Sequence, residues 1–203
     1  MSAKVNETIS LFIGKLSEAT GYKYLKSSRS LKKTIGQMVF EVLFFSSKWN
    51  DDNNIEINAD FRVSYKKIGA PSTINGIVAC KSFRSEKEYW YDISSEDKFD
   101  EILDYFKMEL QRTAVDLSDR FDKDFKDACR YLLEEKFYEY DVFFDFLIDV
   151  LGEEEVMYRV NDFIEQLSES DRQQIVEYKK GARDKAWMLN RSNMQFIADN
   201  GYI

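Results

Sequence analysis

Between residues 55 and 65 apolar and polar side chains alternate without a break. Ile55, Ile57, Ala59, Phe61, Val63 and Tyr65 are separated by Glu56, Asn58, Asp60, Arg62 and Ser64. A period of two puts the two sets on opposite sides of an extended chain, so the segment predicts a half-buried β-strand. Residues 38–45 (Met-Val-Phe-Glu-Val-Leu-Phe-Phe) form a short, nearly continuous apolar run. Such a run predicts a central strand covered on both faces. Asp51-Asp52-Asn53-Asn54 between the two is a turn signal. Gly69-Ala70-Pro71 ends the alternating strand. Residues 77–83 and 89–93 supply two more strands, joined by the charged turn Arg84-Ser85-Glu86-Lys87. Four strands in series with short connections predict an antiparallel meander.

Helical periodicity flanks this core. Val5, Ile9, Phe12, Ile13 and Leu16 fall on one helical face, and Gly21 is placed to end that helix. Residues 22–34 are polar and basic and read as a loop or irregular strand. From Ser94 or Ser95, a capping residue followed by Glu96 and Asp97, the period becomes helical again. Phe99, Ile102, Leu103, Phe106, Leu110, Ala114 and Leu117 mark the buried stripe. Further helical patterns run near 119–137, 140–151, 153–167 and 171–190, with Gly152 as punctuation and Ser170 placed to cap the last. Strands followed by a run of helices make an α+β fold: an N-terminal helix, an antiparallel meander of about four strands, then a helical C-terminal half. We divide it into an α+β domain over 1–130 and a helical extension over 131–203 packed on it; the 203 residues and 24.0 kDa also suit one single domain.

Composition removes several chemistries. The chain has no histidine, which excludes His-dependent triads, His metal sites and histidine pH switches. Neither GxxxxGK[ST] nor GxGxxG occurs, so the standard phosphate cradles are missing. Ser30/Lys33, Ser64/Lys67 and Ser95/Lys98 each match SxxK, as expected by chance in a Ser- and Lys-rich chain, and no companion motif follows. Cys80 and Cys129 are far apart and sit in apolar stretches, which points to buried thiols in a reducing cytoplasm. The N-terminus lacks a secretion signal and no run reaches the roughly 18 apolar residues of a membrane span. We expect a cytoplasmic protein without cofactor, metal or membrane partner.

The order of parts carries a resemblance. An N-terminal helix leads to Gly21-Tyr22-Lys23-Tyr24 and a basic stretch. A strand then ends in Phe44-Phe45-Ser46-Ser47-Lys48-Trp49-Asn50. The alternating strand around Asn58-Ala59-Asp60-Phe61-Arg62-Val63 follows, and later Trp90-Tyr91-Asp92-Ile93 before a helix. This resembles the bacterial domain-of-unknown-function family 4304 and related domains similar to the immunity proteins found beside toxins. The resemblance covers roughly residues 5–130 and rests on apolar patterns. It implies an α+β fold and offers no catalytic residue.

Charge is distributed unevenly. Residues 1–50 hold eight Lys+Arg and three Asp+Glu. Lys23, Lys26, Arg29, Lys32 and Lys33, with Tyr22 and Tyr24 among them, could contact phosphates and stack bases. The alternative is a solvated loop beside an edge strand, where lysines discourage aggregation, and this is the reading adopted. Residues 116–155 contain 14 Asp+Glu and five Lys+Arg, so this one segment exceeds the whole chain's net charge of -8. Asp116/Arg120, Asp119/Lys123 and Asp122/Lys126 form ordinary i,i+4 helix pairs. Asp141, Asp145 and Asp149 recur at the same spacing with no Lys or Arg between them, and Glu153 follows. Tyr138 and Tyr140 belong to the dense aromatic cluster just before. We assign Asp141, Asp145, Asp149, Glu153, Tyr138 and Tyr140 as a surface for a basic protein partner such as a cognate toxin domain; the alternatives are a solvated helix face, facing water or Lys and Arg from elsewhere in the fold, and an aromatic cluster that is core. The function expected is non-enzymatic occlusion of that partner. The competing readings are a histidine-independent hydrolase using carboxylates, and nucleic-acid binding through the basic loop.

Overall fold

The computed structural model describes residues 2–67, 76–83, 90–180 and 192–203. The Gly69-Ala70-Pro71 break, the Arg84–Lys87 turn and the last part of the helix expected over 171–190 lie outside these residues. The fold is α+β. Helix α1 (Ala3–Thr20) is followed by β1 (Lys23–Leu25), β2 (Ser30–Ile35), β3 (Met38–Ser46), β4 (Glu56–Tyr65), β5 (Ile77–Ser82) and β6 (Tyr91–Asp92). Then come α2 (Glu96–Leu110), a π-helical turn (Gln111–Val115), α3 (Asp116–Lys123), α4 (Phe125–Glu134), α5 (Phe144–Leu151), α6 (Glu153–Gln166), α7 (Glu169–Lys179) and α8 (Ser192–Asn200). Two compact units result, one from residues 1–63 and 80–125, the other from 64–79 and 126–203. The second unit thus takes in residues 64–79, which the sequence division at 130 places with the strands.

The strand order is β1-β2-β3-β4-β5, and β6 pairs antiparallel with β4. The last strand therefore returns to the start of β4 instead of extending the meander. Residues 22–34, read as a loop or irregular strand, contain two regular strands. Register runs from Lys23↔Lys32 to Leu25↔Ser30, then Ser30↔Leu43 to Ile35↔Met38. The lysines hid this pattern because they alternate with Tyr22, Tyr24 and Leu31, and one polar side of a half-covered sheet accepts them. Gly36 makes the β2–β3 turn; its φ of 55° suits the first central position of a tight hairpin.

Burial in β4 follows the alternation: Ile57, Phe61 and Val63 are buried, while Glu56, Asp60 and Arg62 are half-exposed. Asn58 is the exception. It is buried, and its Oδ1 accepts the Ala59 N–H at 2.7 Å. β3 is not covered on both faces. Met38, Phe40, Val42 and Phe44 are buried, whereas Val39, Glu41 and Leu43 are half-exposed and Phe45 is exposed. The buried set meets helices: Phe44 contacts Phe12 and Phe106, and Phe40 contacts Phe121. Phe106 is the hub of the first unit, with the rings of Phe12, Phe44, Phe83, Tyr91 and Tyr105 at 5.2–6.1 Å. Edge-to-face pairs of this kind add to area burial.

Helix ends follow local chemistry. α1 stops where Gly21 turns left-handed at φ 70° and donates its N–H to the Ser17 carbonyl. Ser95 precedes α2 without forming a side-chain cap. The expected 119–137 helix is interrupted at Asp124, whose extended φ/ψ separates α3 from α4. α7 is capped by Ser168, whose Oγ accepts the Asp171 N–H, and not by Ser170. Among the described residues no helix is long and apolar enough to cross a membrane.

Candidate functional site

The expected acidic stripe is not one helix face. α5 begins at Phe144, and Asp141 lies before it with a left-handed φ of 41°. The chain reverses here because Val142 donates to the Phe137 carbonyl and Phe143 to the Val78 carbonyl. Asn193 then fixes the start of α5. Its Oδ1 accepts the Phe144 N–H at 2.9 Å and its Nδ2 donates to the Val142 carbonyl at 2.8 Å. Desolvation in this turn lifts the Asp141 carboxyl above its ordinary range. Asp145 sits half-buried in the first turn of α5 and is engaged by its surroundings. Asp149 is exposed one turn on. Glu153 opens α6 and accepts a hydrogen bond from the Tyr202 hydroxyl at 2.9 Å.

The two tyrosines separate. Tyr140 is buried at 1% exposure, with the Lys136 ammonium 5.7 Å from its ring centre, so it is removed from the surface set. Its aromatic neighbours form core: Phe137 stacks on Phe144 at 4.9 Å, and Phe163 and Phe196 close around Phe144. Tyr138 is 45% exposed. A residue the sequence reading missed stands with it: Tyr158 of α6, 50% exposed.

Arg159 holds these two tyrosines together. Its guanidinium lies 5.6 Å from the Tyr138 ring centre and 5.3 Å from that of Tyr158. It donates to the Leu133 and Glu134 carbonyls, the last of α4, at 3.1 and 3.2 Å, and to Asp162 Oδ2 at 2.9 Å. Asp162 also accepts from the Tyr138 hydroxyl at 2.8 Å and from Gln166. Hydrogen bonds from Tyr138, Arg159 and Gln166, with the Arg159 charge, hold the Asp162 carboxyl below its ordinary range. Burial and the neighbouring Asp162 push the Tyr138 hydroxyl upward, so it stays protonated and donates. Tyr138 is thereby fixed by Asp162 and Arg159, and Tyr158 meets the guanidinium of its chain neighbour Arg159; part of each ring is left to solvent.

The segment that carries these residues is acidic. From residue 134 to 165 there are eleven carboxylates and two basic side chains, Lys136 and Arg159. Among the described residues Glu139 pairs with Lys136, Glu155 with Arg130 and Asp162 with Arg159. Glu135, Asp149, Glu154 and Glu165 are exposed and meet no basic side chain among the described residues.

Other constellations are closed. In the first unit Lys33 Nζ lies 3.0 Å from Ser118 Oγ and 2.9 Å from Asp119, above the Tyr22 ring. A Ser–Lys–Tyr set of this kind invites a nucleophile reading. Ser118, however, is wholly buried and its hydroxyl donates to the Val115 carbonyl, while the Tyr22 hydroxyl donates to the Ala114 carbonyl. In the basic segment Arg29 donates to Ser46 and Asn6 and Tyr22 is buried, while Lys23 and Lys26 are exposed. The Cys129 thiol is buried and pushed up to about 12 by that burial, so it carries no thiolate. A groove of about 380 Å³ runs between Thr8, Leu11 and Lys15 of α1 and the start of α2. Among the described residues no group of three His, Cys, Asp or Glu side chains could hold a metal ion. Comparison of the chain with family models, with curated proteins and with solved structures finds no match.

Proposed function

We propose that this chain is a protein-binding module of the immunity type, which occludes a basic partner such as a toxin domain with the acidic surface of its second unit. The observation that supports this most is the pair Tyr138 and Tyr158, half-exposed on either side of Arg159, in an acidic segment whose Glu135, Asp149 and Glu154 meet no basic side chain among the described residues. Tyrosines held in place lose little freedom on binding and serve as anchors. Carboxylates around them attract a cationic face from a distance and orient it. The free ring faces can also receive a partner's Lys or Arg. The exposed residues that support this reading are Tyr138, Tyr158, Glu135, Asp149 and Glu154; Tyr140 is buried and no part of it.

The test is association with the product of the adjacent gene and, as a generic cation, a Lys/Arg-rich peptide. Glu135→Gln with Asp149→Asn should slow association at low salt, and the difference from wild type should shrink as salt screens the field. Tyr158→Ala should act on dissociation instead. Association that ignores the charge changes at every salt concentration would reject the reading.

A further inference from the structure

Helix α1 carries a second stripe, opposite the one it buries. Val5, Ile9, Phe12, Ile13 and Leu16 face the core. On the other side Lys4, Glu7, Leu11, Gly14 and Glu18 recur at alternating steps of three and four, the spacing of a helix–helix seam. Leu11 is 56% exposed, and Lys4, Glu7, Lys15 and Glu18 are exposed around it. Leu11 also walls the groove of about 380 Å³, which is apolar on Ile93 and Phe99. Two features of the stripe serve nothing inside the chain. Gly14 stands mid-helix, where glycine weakens a helix relative to alanine, yet an added Cβ would meet nothing within 4 Å. Glu7, Lys15 and Glu18 form no ion pair among the described residues, and Lys4 donates to the Asp52 carbonyl. Lys4 and Lys15 each precede a glutamate by three residues, an order less favourable on a helix than its reverse.

The order of these residues is its own complement when the helix is reversed. In an antiparallel pair of copies centred on residue 11, positions equally far before and after it face each other. Glu7 then faces Lys15, Lys4 faces Glu18, Thr8 faces Gly14, and Leu11 meets Leu11. Every charge of the stripe meets its opposite. In a parallel pair each would meet itself, and a partner of one charge sign would be repelled by half the stripe. A two-fold interface uses one patch twice and has to be self-complementary in this way. Gly14 lets the helices approach closely against Thr8. Glu96 and Asp100 on the α2 wall of the groove add negative charge to both copies, a cost that salt screens. We infer that α1 joins two copies of this chain as an antiparallel two-fold pair, with the Leu11 side chains covering each other and Glu7 on Lys15 at either end. None of the residues proposed for the basic partner takes part.

The measurement is sedimentation velocity of the full chain from about 5 to about 500 μM, because one helix pair makes a small interface and a weak dimer. The average mass should rise with concentration from 24.0 kDa toward twice that value. Leu11→Asp should raise the dissociation constant at least about tenfold. Glu7→Lys and Lys15→Glu should each raise it several-fold, because the changed group then meets its own sign. Mixed together, these two variants should pair with each other, and the chain carrying both changes should recover the wild-type dimer. All three positions are exposed, so urea midpoints of the dilute, monomeric variants should match wild type. Under an oxidant Leu11→Cys should cross-link to itself more than wild type does. Glu18→Cys should not, since its two copies would lie about 21 Å apart along the helix axes. A monomer at every concentration, a dimer indifferent to Leu11→Asp, charge variants that fail to pair when mixed, or cross-linking at 18 in place of 11 would each overturn the inference. Glu135→Gln with Asp149→Asn should leave the dimer intact; a dimer lost with that change belongs to the acidic surface and not to α1.

Discussion

Tyr22 and Tyr24 lie two residues apart and make opposite predictions under the same substitution. The Tyr22 hydroxyl is buried and donates at 2.7 Å to the Ala114 carbonyl, within the π-helical turn. Ser118 is also within hydrogen-bonding reach of it. Removing it by Tyr22→Phe keeps the ring and strands a buried acceptor, which costs about 1–3 kcal/mol. For a chain of this size that is a fall in Tm of about 2–4 °C per kcal/mol. The Tyr24 hydroxyl is also buried but has no hydrogen-bond partner among the described residues. Its burial already carries the desolvation penalty, so Tyr24→Phe should be neutral or stabilising by up to about 1 kcal/mol. The assay is urea unfolding followed by tryptophan fluorescence, for which Trp49 and Trp90 report on the first unit. The Tyr22→Phe midpoint should fall while that of Tyr24→Phe holds or rises, at unchanged slope, since neither variant alters the surface exposed on unfolding. Equal shifts of the same sign would refute the hydrogen-bond assignment and leave ring packing as the shared cause.

Two further outcomes test the second unit. Asp162 titrates below its ordinary range when folded, so it binds fewer protons in the folded than in the unfolded chain; its contribution is present above the unfolded pKa and is lost as pH falls through the lower folded value. Urea midpoints of wild type and Asp162→Asn should therefore converge on acidification below about pH 4, and a gap that stays constant from pH 6 to pH 2 would remove Asp162 from the account. At the start of α7, Ser168→Ala should cost about 1 kcal/mol while Ser170→Ala changes little, because only Ser168 accepts a helix N–H there; a urea comparison of the two variants that gives the reverse order would place the cap at Ser170.

The fold class was legible because periods of two and of 3.6 are local properties. The strand around Phe61 and the helix ending at Gly21 need only their own residues to be read. β1 and β2 were not legible because their polar side carries Lys23 and Lys32, and alternation vanishes when the buried side has so few large apolar groups. The pairing of β6 with β4 was not legible because a register between residues as distant in sequence as Ile57 and Tyr91 is decided by packing. Tyr138 could be named from composition, but its exposure could not be told from the burial of Tyr140. Tyr158 and Arg159 were missed for a related reason. The bond from Arg159 to the end of α4 spans 25 residues, and no spacing rule connects an arginine to a carbonyl at that distance.

What the acidic charge costs the fold depends on where each carboxylate sits along its helix. Spacing alone predicts that Asp141, Asp145 and Asp149 repel one another. Asp141 is off the helix, and Asp145 and Glu153 through Glu155 occupy first turns, where the helix dipole favours a carboxylate. Much of the acidic run thus has a folding rationale and needs no partner. Asp149 does not. It lies in the last turn of α5, the end that disfavours negative charge, exposed and without a basic neighbour among the described residues. Asp149→Asn should therefore raise stability by about a few tenths of a kcal/mol, while slowing capture of a basic partner. A gain in the urea midpoint with slower association means that the residue is kept at the expense of stability, as a binding surface requires. A loss of stability with unchanged association would show that Asp149 supports the fold, and the proposed surface would lose the carboxylate that folding explains least.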